Sequence, residues 1–231
     1  MALPCLLLFA RAPEAGRVKT RLAGRLTEAG AADLYRAFLS DAARLYARPS
    51  RWSSVLCADP DPLHPALDSL FPSPWRREAQ AGKSLGDRLS AAFDSAFAGG
   101  APAAVAVGSD HPTLPLERLA EVFDRLADGG GDAAIVPAED GGYCAIGLTS
   151  SAPYRDVFRE VPWSTPEVLA RTVQRLERAG VRYRLLPAAY DVDRPEDLER
   201  LRLDLAERDP GAADYPAATA RALRTLLGAA P

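Results

Sequence analysis

With 231 residues, 48% of them hydrophobic and 26% charged, the chain has the composition of an ordinary soluble globular protein, and its length suits one large domain or two small ones. A net charge of −3 provides no basic surface of the kind that nucleic-acid binders carry, and no apolar stretch approaches the length of a membrane span. Cys5, Cys57 and Cys144 have no paired spacing and none adjoins His64 or His111, which argues against a zinc site or disulfide framework and suits a reducing cytoplasm.

The opening MALPCLLLFA has no basic flank and too short an apolar run for a signal peptide, so residues 4–10 read as a first core strand. Helical periodicity follows at 28–47, with Leu34, Phe38, Ala42 and Leu45 on one face. A second strand is expected at 53–58, and the proline-rich stretch 59–75 reads as a surface excursion. Residues 85–98 form another helix pattern, which Ser84 and Asp87 are placed to cap. A strand at 103–108, a helix at 116–127 and strands at 132–137 and 143–148 come next. Ser164-Thr165-Pro166-Glu167 joins capping hydroxyls, a first-turn proline and an early carboxylate, and so opens a further helix. A last strand at 182–187 precedes helices at 195–208 and 216–228. This alternation is the signature of βαβ units on a largely parallel sheet, and one α/β domain over 1–231 is the economical reading.

Four stretches carry chemistry. RAPEAGRVKTRL (11–22), after the first strand, holds Arg11, Arg17, Lys19 and Arg21, with Gly16 to let the backbone turn. In open α/β sheets ligands bind beyond the carboxyl ends of the strands, and these cations suit a di- or triphosphate; equally, they suit a solvated basic turn. The segment is not a P-loop, because Val18 precedes Lys19 where that pattern requires glycine. AAVAVGSDHPTL (103–114) delivers Asp110 at a strand tip, either as a turn cap or as a ligand for Mg²⁺, which takes one or two carboxylates together with phosphates and water. AAYDVDRPEDL (188–198) offers a second carboxylate in Asp191 or Asp193, with Asp193 also placed to cap the helix entered through Arg194-Pro195; His111 reads as a turn residue. VPAEDGGYCAIGL (136–148) is a hairpin whose Asp140-Gly141-Gly142 is a plain turn or a place where a ligand approaches the backbone, with Tyr143 beside it. Trp163 reads as core packing or as a pocket wall.

In this order, PEAGRVKTRL, GSDHPTL, PAEDGGYCAIGL with VPWST, and YDVDRPEDL resemble the glycosyltransferase-like family of small bacterial proteins with the GT-A (nucleotide-diphospho-sugar transferase) fold, some members of which are described as arsenosugar-biosynthesis glycosyltransferases. The resemblance runs from about residue 4 to 205. It implies a three-layer α/β sandwich, a mostly parallel sheet with helices on both faces. It also implies a Mg²⁺- (or Mn²⁺-) dependent transferase acting between a nucleotide or nucleotide-sugar donor and a small-molecule acceptor. Ala10, Arg11, Lys19 and Arg21, with Gly16 and Arg17 of the same loop, would cradle the nucleotide, and Asp110 and Asp193 would hold the metal. Asp140-Gly141-Gly142-Tyr143 and Trp163-Ser164 would face the acceptor or sugar. Lys19 and Arg21 would share with the metal the charge of the leaving diphosphate, and Asp140 would be the general base of an inverting enzyme.

More remotely, KTRL, the Asp-Gly-Gly hairpin and DVDRPEDL are similar to the 2-phospholactate guanylyltransferases and molybdenum-cofactor nucleotidyltransferases. The guanylyltransferases follow Gly-Gly with Thr-Asn, where this chain has Tyr143-Cys144. Nucleotidyl transfer with release of pyrophosphate is thus the alternative activity, and a catalytically idle nucleotide-binding module is the non-enzymatic one.

Overall fold

Strands buried on both faces must be apolar at every position, and the runs at 5–10 and 103–107 are. In the computed structural model, which describes residues 2–129 and 131–228, they form β1 (Cys5–Arg11) and β4 (Ala103–Gly108) at the centre of a seven-stranded sheet. The others are β2 (Ser53–Asp59), β3 (Arg76–Ala79), β5 (Ala133–Pro137), β6 (Tyr143–Thr149) and β7 (Tyr183–Leu185), in the order β3-β2-β1-β4-β6-β5-β7. β6 runs against β4 and β5, and the remaining pairs are parallel.

The alternation of side chains along β1 divides the core. Leu6, Leu8 and Ala10 face α1 (Glu28–Tyr46), α4 (Leu116–Ala127), α7 (Pro195–Glu207) and α8 (Ala217–Leu227). Cys5 and Leu7 face α3 (Leu85–Ala98), α5 (Tyr154–Phe158) and α6 (Val168–Arg178). Helices thus cover both faces, in the three layers expected. Among the described residues no helix is long and apolar enough to cross a membrane.

Several local expectations are corrected. The stretch 59–75 is no mere excursion: it contains the short helix α2 (Pro65–Asp68) and buries Leu67, Phe71 and Trp75. β3 reads Arg-Arg-Glu-Ala, a polar edge strand without the apolar alternation that marks its neighbours. α5 is a five-residue helix that no long periodic pattern announces. α6 begins at Val168, because Ser164 turns the chain in the left-handed region (φ 65°) and the Thr165 hydroxyl accepts from Glu167 N–H in a turn ahead of the helix. The Ser84–Asp87 cap of α3 is present in both directions, at 3.1 and 3.0 Å.

Pro216, at the N-cap position of α8, provides no capping side chain. The buried carboxylate of Asp41, on α1, accepts from Ala218 N–H (3.1 Å) and Thr219 N–H (2.7 Å) in its place, tying α8 to the helix it packs on. Asp41→Ala should therefore cost about 1–2 kcal/mol, the range for a lost helix cap. Urea unfolding should show a lower midpoint at unchanged slope, with Asp41→Asn less damaging because one acceptor is kept.

Candidate active site

β1 and β4 are adjacent and parallel, with Phe9 opposite Gly108, so Ala10-Arg11 and Ser109-Asp110 emerge side by side at the same end of the sheet. The chain leaving β1 is anchored by Val18 and Leu22, both in the core. Between them Lys19 adopts a left-handed conformation (φ 49°, ψ 35°), uncommon for a residue with a Cβ, and a short 3-10 turn (Thr20–Leu22) follows. This twist sends the Lys19 side chain inward, where it is only 4% exposed. Its Nζ lies 2.5 Å from Asp110 Oδ1 and 4.0 Å from Asp193 Oδ1, and Arg21 Nη1 takes the other oxygen of Asp193 at 2.6 Å. Charge alternates along this row: Asp110, Lys19, Asp193, Arg21.

Two bonds bring the 188–193 segment to the β4 tip. Val192 N–H donates to the Asp110 carbonyl (3.0 Å), and the buried His111 ring meets the Tyr190 carbonyl through Nδ1 (3.1 Å). A carbonyl only accepts, so Nδ1 carries the proton; burial holds His111 below the usual histidine value and keeps it neutral. Asp193 is not the cap of α7. Asp197 accepts from both Asp193 N–H (2.9 Å) and Arg194 N–H (2.6 Å), which fixes the backbone and leaves the Asp193 carboxylate to Lys19 and Arg21.

These groups line a cleft of about 660 Å³. Of the expected residues it contains Ala10, Arg11, Arg17, Lys19, Arg21, Asp110, Asp193 and Ser164. Gly16 turns the loop (φ 75°) without lining the cleft. Asp140, Gly141, Gly142, Tyr143 and Trp163 do not line it either. Asp140 Oδ1 accepts from Gly142 N–H (2.8 Å), and a Cβ on Gly141 (φ 92°) would overlap the Pro166 backbone. Gly141 is therefore required by the chain's own approach. Tyr143 packs edge-on against Trp163, their ring centroids 6.3 Å apart, and Trp163 lies against Phe158 and Gly86.

The opposite wall was not anticipated. It comprises Gln80, Lys83, Leu85 and Arg88, joined on the floor by Tyr35 and Ser109. Gln80 Nε2 donates to the Cys57 carbonyl (2.9 Å), and its Oε1 accepts from Arg88, which also pairs with Asp59 (3.2 Å). Lys83 makes no ion pair among the described residues, and Leu85 is 42% exposed. The one available signal was the dense polar run QAGKSLGDRL ahead of a capped helix.

Enclosure alone would raise the Asp110 carboxyl, but the Lys19 ammonium bonded to it outweighs that and holds it below the usual carboxylate value. Asp191, half-buried, is held above that value by burial first and then by the charge of Asp140. Among the described residues no group of three or more His, Cys, Asp or Glu is arranged to hold a metal. Asp110 and Asp193 are nonetheless an all-oxygen pair on one side of the cleft, the number of carboxylates Mg²⁺ usually takes from a protein.

The comparisons with known proteins agree with this architecture. A family model described as "Uncharacterized protein conserved in bacteria (DUF2064)" matches residues 42–165. A protein of Desulfovibrio desulfuricans G20, provisionally assigned as a nucleotide-diphospho-sugar transferase, is 32% identical, with 98% of this chain and 97% of that one covered at a TM-score of 0.86. A cytidylyltransferase from Leptospira borgpetersenii is 12% identical over 100% of this chain and 98% of its own, with a TM-score of 0.58. CMP:2-keto-3-deoxy-manno-octonic acid synthetase, in complex with CTP, is 14% identical over 89% of this chain and 99% of its own, with a TM-score of 0.53. The last two share the fold alone. Among curated proteins none matches.

The balance at Asp110 has a testable sign. Its depressed value adds stability that is present above the unfolded carboxylate value of about 3.9 and is lost as pH falls through the folded one. In Lys19→Met the burial effect is opposed only by His111 and Arg11, so carboxyl-detected NMR should find Asp110 titrating higher than in the wild type. The Asp110 contribution to the acid limb of the stability curve should shrink with that change.

Proposed function

The chain belongs to the DUF2064 family, and we propose that it is a nucleotide-dependent transferase that moves a sugar from a nucleotide-sugar to a small-molecule acceptor. The observation that carries this reading is the cleft at the ends of β1 and β4, where Arg11, Arg17, Lys19, Arg21, Lys83 and Arg88 surround two carboxylates. Guanidinium and ammonium groups in this density complement a diphosphate through charge-assisted hydrogen bonds. The 32% identical relative supports a nucleotide-sugar as donor.

Asp110 and Asp193 are the residues that would hold Mg²⁺ or Mn²⁺. Such a cation, its shell completed by phosphate oxygens and water, would neutralise charge developing on the leaving diphosphate. Lys19 and Arg21 bring positive charge to the same oxygens, stabilisation that a preorganised site provides without reordering. The idle-module alternative required the carboxylates to stand apart, whereas both meet one ammonium. Three buried free cysteines suit a reducing compartment, in keeping with a cytoplasmic enzyme.

Nucleotidyl transfer is the second reading, favoured by two observations. Lys83 and Arg88 add cations beyond the loop that follows β1, room in charge for a third phosphate. Of Tyr143 and Trp163, the aromatic faces expected to stack on a sugar, the first packs on the second and Trp163 lies against Phe158.

Thermal melting with Mg²⁺ separates the two. A nucleotide-sugar or nucleoside diphosphate should stabilise more than the matching triphosphate, and at 100 times the dissociation constant the gain is about 2.7 kcal/mol. A stronger shift with triphosphate, together with pyrophosphate release on adding a phosphorylated acid, would establish the second reading in place of the first. Asp110→Asn should abolish turnover with either donor while the far-ultraviolet spectrum stays that of the wild type.

A further inference from the structure

The floor of the cleft contains a chain of hydroxyl groups whose direction can be worked out. Arg11 N–H donates to Tyr35 Oη at 3.0 Å, and Tyr35 Oη lies 2.7 Å from Ser109 Oγ. Both hydroxyls belong to enclosed residues, Tyr35 being 3% and Ser109 7% exposed. Burial, and then the nearby Asp110 charge, push the Tyr35 phenol up, so it keeps its proton. Were Ser109 the donor, the phenol oxygen would receive two hydrogens while its own had no acceptor, and an unsatisfied buried donor is costly. With Tyr35 as donor every group is satisfied except the Ser109 proton, and Ser109 lines the cleft. The order is therefore Arg11 N–H to Tyr35, Tyr35 to Ser109, and Ser109 toward whatever occupies the cleft.

We infer that Ser109 is a specificity-determining residue whose hydroxyl, oriented by Tyr35 as a positioning residue, donates to a ribose hydroxyl oxygen of the bound nucleotide. This rests on the nucleotide reading above and adds to it. The acceptor is an uncharged oxygen because Ser109 adjoins Asp110, whose charge acts on the Tyr35 hydroxyl to which Ser109 is bonded. A phosphate at Ser109 would meet the charge of the adjoining Asp110, and the six cations that line the cleft are stronger phosphate donors than a neutral hydroxyl. A sugar hydroxyl meets neither obstacle, and a neutral donor discriminates by its presence or absence.

The test titrates the four common ribonucleoside diphosphates with Mg²⁺, and their 2′-deoxy and 3′-deoxy forms, into the wild type, Ser109→Ala, Ser109→Thr, Tyr35→Phe and the Ser109→Ala/Tyr35→Phe double variant by calorimetry. The wild type should prefer the ribonucleotide over one deoxy form by about 5–10-fold, the worth of one hydrogen bond between neutral groups. Ser109→Ala should bind ribo and deoxy forms alike, at the wild type's deoxy affinity, and Ser109→Thr should keep the preference. Tyr35→Phe should lose most of it, and the double variant should be no worse than Ser109→Ala. An undiminished preference in Ser109→Ala, or none in a wild type that binds nucleotide, overturns this inference and leaves the transferase reading standing. Failure of the wild type to bind any nucleoside diphosphate overturns both.

Discussion

One buried ammonium organises the site. Lys19 stands between carboxylates supplied by positions 110 and 193, and without it two acidic side chains from distant parts of the chain would repel each other across a low-dielectric cleft. The backbone accepts a left-handed conformation at Lys19 to achieve this, a strain of about 1–3 kcal/mol where the surroundings over-determine it. The surroundings do so from both sides. Val18 and Leu22 are fixed in the core, and the rings of Tyr35 and Phe38 lie 6.0 and 5.9 Å from the ammonium, presenting π-faces that favour a desolvated cation. Asp110 is aimed by the end of β4, and Asp193 by the two bonds that Asp197 makes to its own backbone and the next.

The remaining cations follow the same logic. Arg11 and Arg88 share Asp59, Arg17 is bound to Glu14 and Arg21 to Asp193, so all but Lys83 are held by an internal carboxylate. Side chains ordered in this way have already lost the rotamer freedom that an incoming polyanion would otherwise have to remove. Under the proposed function, phosphate oxygens would replace the carboxylate partners of these side chains. Charge balance with no ligand and ordering for a ligand are the same set of contacts.

This also explains what could be read from the sequence. Strands β1 and β4 are apolar at every position because both faces are covered, and that signal is local. The loop after β1 and the tip of β4 were recognisable as site material because ligands in such sheets gather beyond the strand ends. Gln80, Lys83 and Arg88 carried no such mark. Their place on the opposite wall depends on β3 joining the edge of β2, and Arg76–Ala79 is too polar to announce a strand. Tyr35 is hidden for another reason: on α1 it sits on the apolar face, where an aromatic reads as core and its hydroxyl is overlooked. The role of Asp193 turned on a competition between neighbours. The pattern places Asp193 to cap α7, and only the folded backbone shows Asp197 making the bonds there, which frees the Asp193 carboxylate for the cleft.

Trp163 joins the two questions of packing and site. As a residue type it is compatible with core or with a pocket wall, and its position makes it a partly buried residue packed against the core, outside the cleft. Its ring lies so close to Gly86 that a Cβ there would come within 2.8 Å of Nε1, and Tyr143 and Phe158 close two further sides. The next residue, Ser164, is turned by a positive φ into the cleft that Trp163 does not reach. A rigid aromatic anchor followed at once by a left-handed residue leaves the Ser164 side chain little freedom of placement. Gly86 belongs to the first turn of α3, whose preceding residue Leu85 lies on the wall of the cleft, so the anchor also fixes the distance between Ser164 and that wall. The aromatic cluster thereby sets the width of the cleft while remaining outside it.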